Sequence, residues 1–537
     1  MDVAATLNLD WSRALVAGLQ AAGVRHAVIS PGSRSTPLAL ALLRQDGLAC
    51  HVAVDERAAA FFALGLARAS GRPAVLLATS GTAPANWLPA VVESSLAGVP
   101  MLLVSADRPP ELHGCGANQT VEQAAMFAPY VRASHAPGAP VAGFDPAWLH
   151  RLAARAVEQA SWPHPGPVHV NQPFREPLVP ATETPVGPSL APIALDHPRL
   201  LPDDDAVGDL ARQLSGRRGV IVCGEQPFAA GFPDAVAALA ARLDSPILAE
   251  PLSNLRFGTH DRARLLGRYN LWLGDIPTVC EDRADWVLRF GTWPVTRNLQ
   301  DYVAAAAEHI VVDPWPRWSD PAHRVTRMLR ADPTALCEAL LAQRLVPASP
   351  DWRARLAVRE SGSQGAATGH FIGHLIDVLP DGHAVFVGNS LAIRQLDSYA
   401  GTGGKILRFF GNRGASGIDG NVSTALGIAA VAGPLVALIG DLTLQHDLGG
   451  LALAGGLDAV IVAVNNGGGG IFDHLPQSAL PEYVRGWRTP QDIDFAAAAN
   501  TFGLRFAACD TPAGLAAVVG AAIARGGPHL VEYRVAD

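Results

Sequence analysis

Short apolar runs closed by Gly, Ser, Asp or Asn alternate along this chain with Ala-rich stretches of helical period. In the first third, residues 26–30, 50–54, 74–80 and 101–106 predict strands, and residues 36–44, 56–70 and 83–97 predict the helices between them. Continuous apolar strands separated by helices point to a parallel sheet covered on both faces. Residues 177–202 are proline-rich and without periodicity, which predicts a linker. Beyond it, residues 219–223, 246–250, 286–290 and 309–312 predict the strands of a second unit. A polar segment at 345–352 leads into a third, with strands expected at 384–388, 406–410, 435–439, 459–464 and 529–534. The expected fold class is α/β, with three doubly wound parallel-sheet units over residues 1–180, 181–350 and 351–537.

Composition narrows the class of function. A chain of 537 residues is too long for one core, and 49% apolar with 17% charged residues is globular, not disordered. A net charge of −8 offers no basic face to nucleic acid or anionic lipid. Lys405 is the only lysine among 41 basic residues, so a lone arginine beside a motif carries little weight. The six cysteines are scattered without a CxxC pair, which predicts reduced thiols and a cytoplasmic protein over a disulfide framework or zinc site. The opening MDVAATLNLDWSRAL has acids early and no basic start before an apolar run, so no secretory leader is expected. The longest uncharged stretch, 421–440, is interrupted by Ser423, Thr424, Gly427, Gly433 and Pro434. It predicts a helix, a turn and a buried strand, and no membrane insertion.

The sharpest chemical signal lies in the third unit. The strand at 435–439 runs into Gly440–Asp441, and the strand at 459–464 into Asn465, Asn466, Gly467 and Gly468. Ligands bind at the carboxyl ends of strands in such sheets, and two successive ends would set Asp441 beside Asn466. A carboxylate, an amide oxygen and a glycine carbonyl are hard oxygen ligands suited to Mg²⁺. The glycines let backbone approach a diphosphate, and a following helix start favours the anion. Each half alone reads better as an ordinary strand-to-helix turn, with Asp as cap and Asn left-handed. The two halves together reverse that preference.

GDL at 440–442 and NNGGGGIF at 465–472 resemble the metal and cofactor motif of thiamine-diphosphate (ThDP) enzymes. The three-unit layout resembles the pyruvate-oxidase-like branch, with pyrimidine-binding, central and diphosphate-binding domains. Seven further segments are SPGSRSTPLA (30–39), VDERAAAFFALGLA (54–67), TSGTAPAN (79–86), SADRPPEL (105–112), CGANQT (115–120), GNSLAIR (388–394) and NRGASGIDG (412–420). They are similar to the 2-succinyl-5-enolpyruvyl-6-hydroxy-3-cyclohexene-1-carboxylate synthases of menaquinone biosynthesis.

The resemblance implies the cofactors ThDP and Mg²⁺ or Mn²⁺, with Asp441, Asn466 and the Gly468 carbonyl as metal ligands. It implies cofactor contacts from Thr82, Asn86, Gly388, Ser416, Gly440, Leu442, Gly469, Ile471 and Phe472, with Ile418 beneath the bent cofactor. Glu56 would hydrogen-bond N1′ of the aminopyrimidine and, lying in the first unit, would serve the third unit of another subunit. A homodimer or tetramer with sites between subunits follows. The implied substrates are 2-oxoglutarate and isochorismate, each a dicarboxylate, and guanidinium forks suit such groups. The matched arginines are Arg34, Arg108, Arg394, Arg413 and, on the looser match GTWPVTRNL, Arg297, where the family often has Lys. Ser33, Asn118, Gln119 and Ser390 would add polar contacts, and Ile471, Phe472 and Leu475 would wall the pocket. Glu56, Arg34, Gln119, Ser390, Arg394 and Arg413 form the implied catalytic set. The implied reaction removes CO₂ from 2-oxoglutarate and adds the succinyl-semialdehyde carbanion to isochorismate in a 1,4-addition.

Gly467 departs from the family, which often has Asn there. No HExxH, GxSxG, Walker A loop or complete GxGxxG competes. Two alternatives stand beside this reading. An acetolactate-synthase-like decarboxylase or carboligase would not need the arginine set, and a non-catalytic ThDP or nucleotide module would not need Glu56 together with Asp441.

Overall fold

The computed structural model describes residues 2–182, 191–277 and 280–535. Within them the apolar runs form three six-stranded sheets, every pairing parallel. The first sheet is ordered Ala49–Val52, His26–Ile29, Ala74–Ala78, Met101–Asp107, Pro167–Pro173, Ala133–His135. Its central strands Ala74–Ala78 and Met101–Asp107 are buried at every position, as a sheet covered on both faces requires. The second sheet is ordered Arg327–Leu329, Glu308–Val312, Trp286–Phe290, Gly219–Cys223, Ile247–Ala249, Leu265–Leu266. The third is ordered Arg408–Phe410, Ala384–Val387, Leu435–Gly440, Ala459–Asn465, His529–Arg534, Arg505–Cys509. No helix among the described residues is long and apolar enough to cross a membrane. Residues 183–190 of the proline-rich stretch lie outside the described residues.

Several elements differ from the sequence reading. Pro167–Pro173 is a buried strand that its polar His169, Asn171 and Gln172 disguise: His169 bonds Ser105, Asn171 bonds Ser105, Asp107 and Gln123, and Gln172 accepts from Trp11. The short strands Ala133–His135, Leu265–Leu266, Arg327–Leu329 and Arg505–Cys509 have too little apolar pattern to stand out. The helix expected over 83–97 is two helices, Thr82–Ala85 and Leu88–Ala97. Pro89 has no N–H to continue the first into the second. Helix Pro350–Gly362, across the boundary expected at 350, packs Trp352 and Leu356 into the second unit's core. Its Trp352 Nε1 donates to Gly219 O at 2.9 Å, and Arg359 pairs with Asp282. By packing, the second unit therefore extends through this helix.

The first and third units share one hydrophobic core. Helices Glu56–Ser70 and Asn421–Ala432 cross there with backbone against backbone. A Cβ on Gly65 would stand 2.2 Å from Thr424 O, and one on Gly427 would stand 2.1 Å from Phe62 O. Gly65→Ala is therefore expected to destabilise the fold by about 1–3 kcal/mol, the usual range for overpacking. Gly455→Ala, where nothing lies within 4 Å, is the control. Equal thermal midpoints for the two variants would contradict the close crossing.

Two core histidines give the fold an acid limit. His169 and His309 lie on central strands at 1% and 0% exposure, each with an Nδ1 that has no partner. Burial, and then the His135 charge, pushes His169 down to about 4; burial and then Arg289 do the same for His309. Between pH 6.5 and 4 the unfolded chain takes up protons that the folded chain refuses. Stability is full above pH 6.5, falls as pH drops toward 4, and levels off for these groups below that. About 3 kcal/mol per histidine is the most this can contribute. Denaturant titrations at pH 7, 5.5 and 4.5 should show the decline, and His169→Asn should make it shallower, leaving the part due to His309.

Candidate active site

The third sheet delivers its signal residues to one edge. Strands Leu435–Gly440 and Ala459–Asn465 are direct neighbours, with Gly440 opposite Val464. Their ends, the end of Ala384–Val387 and the loop after Arg408–Phe410 enclose a cavity of ≈ 170 Å³. Its lining includes Ser390, Ile418, Gly440, Asp441, Leu442, Asn466, Gly468, Gly469, Ile471 and Phe472, and every lining residue comes from the third unit. Asn389, Gln395 and Thr443 also line it and were not singled out, although Asn389 stands inside GNSLAIR. Gly388 lies beneath, against Ile439, and Leu475 is exposed outside the lining.

Asp441 is 7% exposed and opens helix Asp441–His446. Its two oxygens accept the N–H groups of Leu442 at 2.8 Å and Gly468 at 2.7 Å, which ties the two strand ends together. Burial raises its pKa, and those two N–H groups pull it back. Of the two neighbouring asparagines, Asn465 is structural: it donates to Glu532 at 2.8 Å and accepts from Gly467 N at 3.1 Å. Asn466 Oδ1 is buried without a partner among the described residues. An orphaned amide oxygen beside a buried carboxylate is what a hard cation needs. The residues present thus fit a diphosphate-bound Mg²⁺ or Mn²⁺. Gly468 sits at φ +116°, where a Cβ would also meet Arg488 O at 2.2 Å, so only glycine serves there. Its carbonyl accepts Gly470 N at 2.8 Å and keeps a second lone pair. The helix expected after the glycines is only a 3₁₀ turn, Gly470–His474, which offers backbone amides but no full helix terminus.

Two arginine pairs flank the strand ends of different sheets. In the first unit, Arg34 is 6% exposed and bonds Phe174 O at 2.9 Å and Glu176 at 2.8 Å. Arg108 bonds Ser80 Oγ, and Gln119 Nε2 donates to Ser80 O at 2.9 Å. Burial, and then the Arg34 charge, lowers the Arg108 pKa, so the two guanidiniums are neighbours. Ser33 and Asn118 are exposed at the same edge. In the third unit, Arg394 Nη1 donates to Ser390 O at 2.7 Å and Arg413 Nη1 to Asn389 Oδ1 at 2.7 Å. Burial, and then Arg413, lowers the Arg394 pKa. Ser390 and Ser416 both take positive φ, at 65° and 64°. Arg297 is not brought to either pair: it is 82% exposed and pairs with Asp301 on its own helix.

Helix Leu391–Tyr399, which carries Arg394, is pinned from the second unit. Asp397, fully buried, accepts from Arg256, from Tyr269 Oη at 2.6 Å and from Thr296 Oγ1 at 3.0 Å. Burial raises the Asp397 pKa and the Arg256 charge opposes it. A buried acid in the pattern LAIRQLDSY was the available signal.

Glu56 is the first residue of helix Glu56–Ser70, capped by Asp55, which accepts from Arg57 N and Ala58 N. Asp55, not Glu56, does the capping. The Glu56 carboxylate is half-buried, has no hydrogen-bond or ion-pair partner among the described residues, and does not line the third-unit cavity. Thr82 and Asn86 are exposed and likewise outside that lining, next to the exposed apolar Leu88; Val52 and Val54 are exposed just before Glu56.

Known proteins match along the whole chain. The family model described as "Thiamine pyrophosphate enzyme, N-terminal TPP binding domain" matches residues 9–126. "Middle domain of thiamine pyrophosphate" matches residues 206–374, and "Thiamine pyrophosphate enzyme, C-terminal TPP binding domain" residues 402–533. A 2-succinyl-5-enolpyruvyl-6-hydroxy-3-cyclohexene-1-carboxylate synthase of Dechloromonas aromatica is 59% identical over 98% of this chain and 99% of its own length. Proteins of the same name from Geobacillus kaustophilus and Myxococcus xanthus are 42% and 39% identical, over 98% and 100% of this chain and 94% and 96% of their own. The chain belongs to the 2-succinyl-5-enolpyruvyl-6-hydroxy-3-cyclohexene-1-carboxylate synthase family of thiamine-diphosphate enzymes.

Proposed function

We propose that this chain decarboxylates 2-oxoglutarate and joins the four-carbon remainder to isochorismate, using ThDP and Mg²⁺ or Mn²⁺, as a step of menaquinone biosynthesis. The observation that carries this reading is the strand-end cavity, which buried Asp441 and Asn466, with its orphaned Oδ1, line together with Ser390 and Asn389, the residues that Arg394 and Arg413 bond.

Asp441, Asn466 and the Gly468 carbonyl would hold the metal, and the amides of the glycine run would meet the diphosphate. Bound there, ThDP supplies the electron sink for decarboxylation. Glu56 would hold a proton at N1′ of the aminopyrimidine, and Ile418, which lines the cavity, would pack against the cofactor. Because Glu56 stands outside its own chain's cavity, the site is completed by a second copy, whose first unit brings Glu56, Thr82 and Asn86 to this third unit. The exposed Val52 (58%) and Val54 (83%) beside Glu56 support burial of that edge in a homodimer or tetramer. Arg34 and Arg108, with Ser33, Asn118 and Gln119, then face Arg394, Arg413 and Ser390 across the interface, enough forks for two dicarboxylates. Ile471 and Phe472, which line the cavity, would shield the reacting carbon from water. The three units take the pyrimidine-binding, central and diphosphate-binding roles in order, in the cytoplasm.

A decarboxylation assay with labelled 2-oxoglutarate and pyruvate side by side tests the substrate class. CO₂ release from 2-oxoglutarate is expected to dominate. Preference for pyruvate would favour an acetolactate-type carboligase instead.

A further inference from the structure

Glu93 stands in no recognised motif, on helix Leu88–Ala97 of the first unit, and is 3% exposed. An acid buried in the run LPAVVESSLA needs partners, since an uncompensated charge there is costly. It finds them in the third unit. Its carboxylate accepts three successive backbone N–H groups, from Gly414 at 2.8 Å, Ala415 at 2.7 Å and Ser416 at 3.3 Å. Three amides converge on one anion because the loop turns left-handed at Ser416. The loop also rests on the helix itself: a Cβ on Gly414 would stand 2.6 Å from Glu93 O and 2.7 Å from Ala97 N. On its other side Glu93 meets Arg68 at 3.4 Å, and Arg68 pairs with Glu225 of the second unit at 2.5 Å.

The caged loop is the one that carries Arg413 at its start and Ile418 at its end. The two units already share a hydrophobic core, so adhesion between them does not require a buried carboxylate. What the cage adds is a fixed backbone over 414–416, between a guanidinium and a hydrophobic support that must both be placed to within a fraction of an ångström. We propose that Glu93 is a positioning residue for this site: it touches neither substrate nor cofactor, and sets both Arg413 and Ile418 through the loop amides. This rests on the roles given to those two residues above.

Glu93→Gln keeps the shape but turns an amide NH₂ toward N–H donors. It is expected to raise KM for one dicarboxylate substrate by about tenfold, with a smaller change in kcat, and to weaken ThDP binding severalfold. ThDP affinity is read by tryptophan fluorescence, without turnover. In an Arg413→Ala background the further effect of Glu93→Gln on KM should fall below about twofold, because the two act through one element. Arg68→Ala removes the ion pair and leaves the amide cage, so its KM and ThDP affinity should match the parent. Gly414→Ala, which pushes the loop off the helix from the other side, should reproduce the Glu93→Gln signature and serves if that variant does not fold. Unchanged KM and ThDP affinity in Glu93→Gln, or effects fully additive with Arg413→Ala and matched by Arg68→Ala, would overturn the proposal. If the parent turns over neither substrate, the functional reading fails, and ThDP affinity of Glu93→Gln still decides the positioning role.

Discussion

Glu56→Gln is expected to cut CO₂ release from 2-oxoglutarate by about a thousandfold, within the range for loss of a general acid–base group, while ThDP and Mg²⁺ still bind. The substitution isolates chemistry from structure unusually well. Asp55 caps helix Glu56–Ser70 through Arg57 N and Ala58 N, so the helix start does not depend on Glu56. The Glu56 carboxylate has no hydrogen-bond or ion-pair partner among the described residues, so the change breaks no bond seen there. What is lost is the ability to hold and release a proton at N1′. A Gln variant with full decarboxylation would remove Glu56 from the mechanism, and a Gln variant that no longer bound ThDP would make its role one of binding.

Asp441→Ala should act on the opposite quantity. Loss of an outer-shell partner typically costs 10–100-fold in metal affinity, so loss of a direct ligand should weaken Mg²⁺-dependent ThDP binding by at least about 100-fold. The same change frees Leu442 N and Gly468 N, which loosens the join between the two strand ends. Calorimetry of ThDP binding at several Mg²⁺ concentrations separates this from a folding defect, because a misfolded variant would show no binding at any concentration. Burial holds the Asp441 pKa above the ordinary carboxylate value, and a metal ligand must be deprotonated. Metal-dependent binding in the parent should therefore weaken on acidification at a higher pH than an exposed aspartate would give. ThDP affinity that ignores both the substitution and Mg²⁺ would dismiss the metal site.

Much of this was legible in the chain because the third sheet buries its central strands on both faces. Such strands read as unbroken apolar runs, and their ends mark where ligands go. Gly440–Asp441 and Asn465–Gly468 could be paired across 25 residues for that reason, and the register sets Gly440 opposite Val464. What stayed hidden has equally physical causes. Pro167–Pro173 is polar within a buried strand, and its hydrogen-bonded side chains defeat a hydrophobicity pattern. Helix Pro350–Gly362 is amphipathic on its own terms, and nothing local says that Trp352 docks on the second unit and not the third. Glu93 and Asp397 act on segments 321 and 141 residues distant, so spacing along the chain could not expose them. Arg297 was the weakest match and lies exposed beside Asp301.

The cavity at Asp441 and Asn466 is expected to serve a coupling of two dicarboxylates. The most direct measurement supplies the protein with ThDP, Mg²⁺, 2-oxoglutarate and isochorismate and follows the products by mass spectrometry. The predicted result is a single adduct with the mass of the two substrates less CO₂, formed only when all four are present and lost in Asp441→Ala. Consumption of 2-oxoglutarate without that adduct, or adduct formation independent of ThDP, would contradict it.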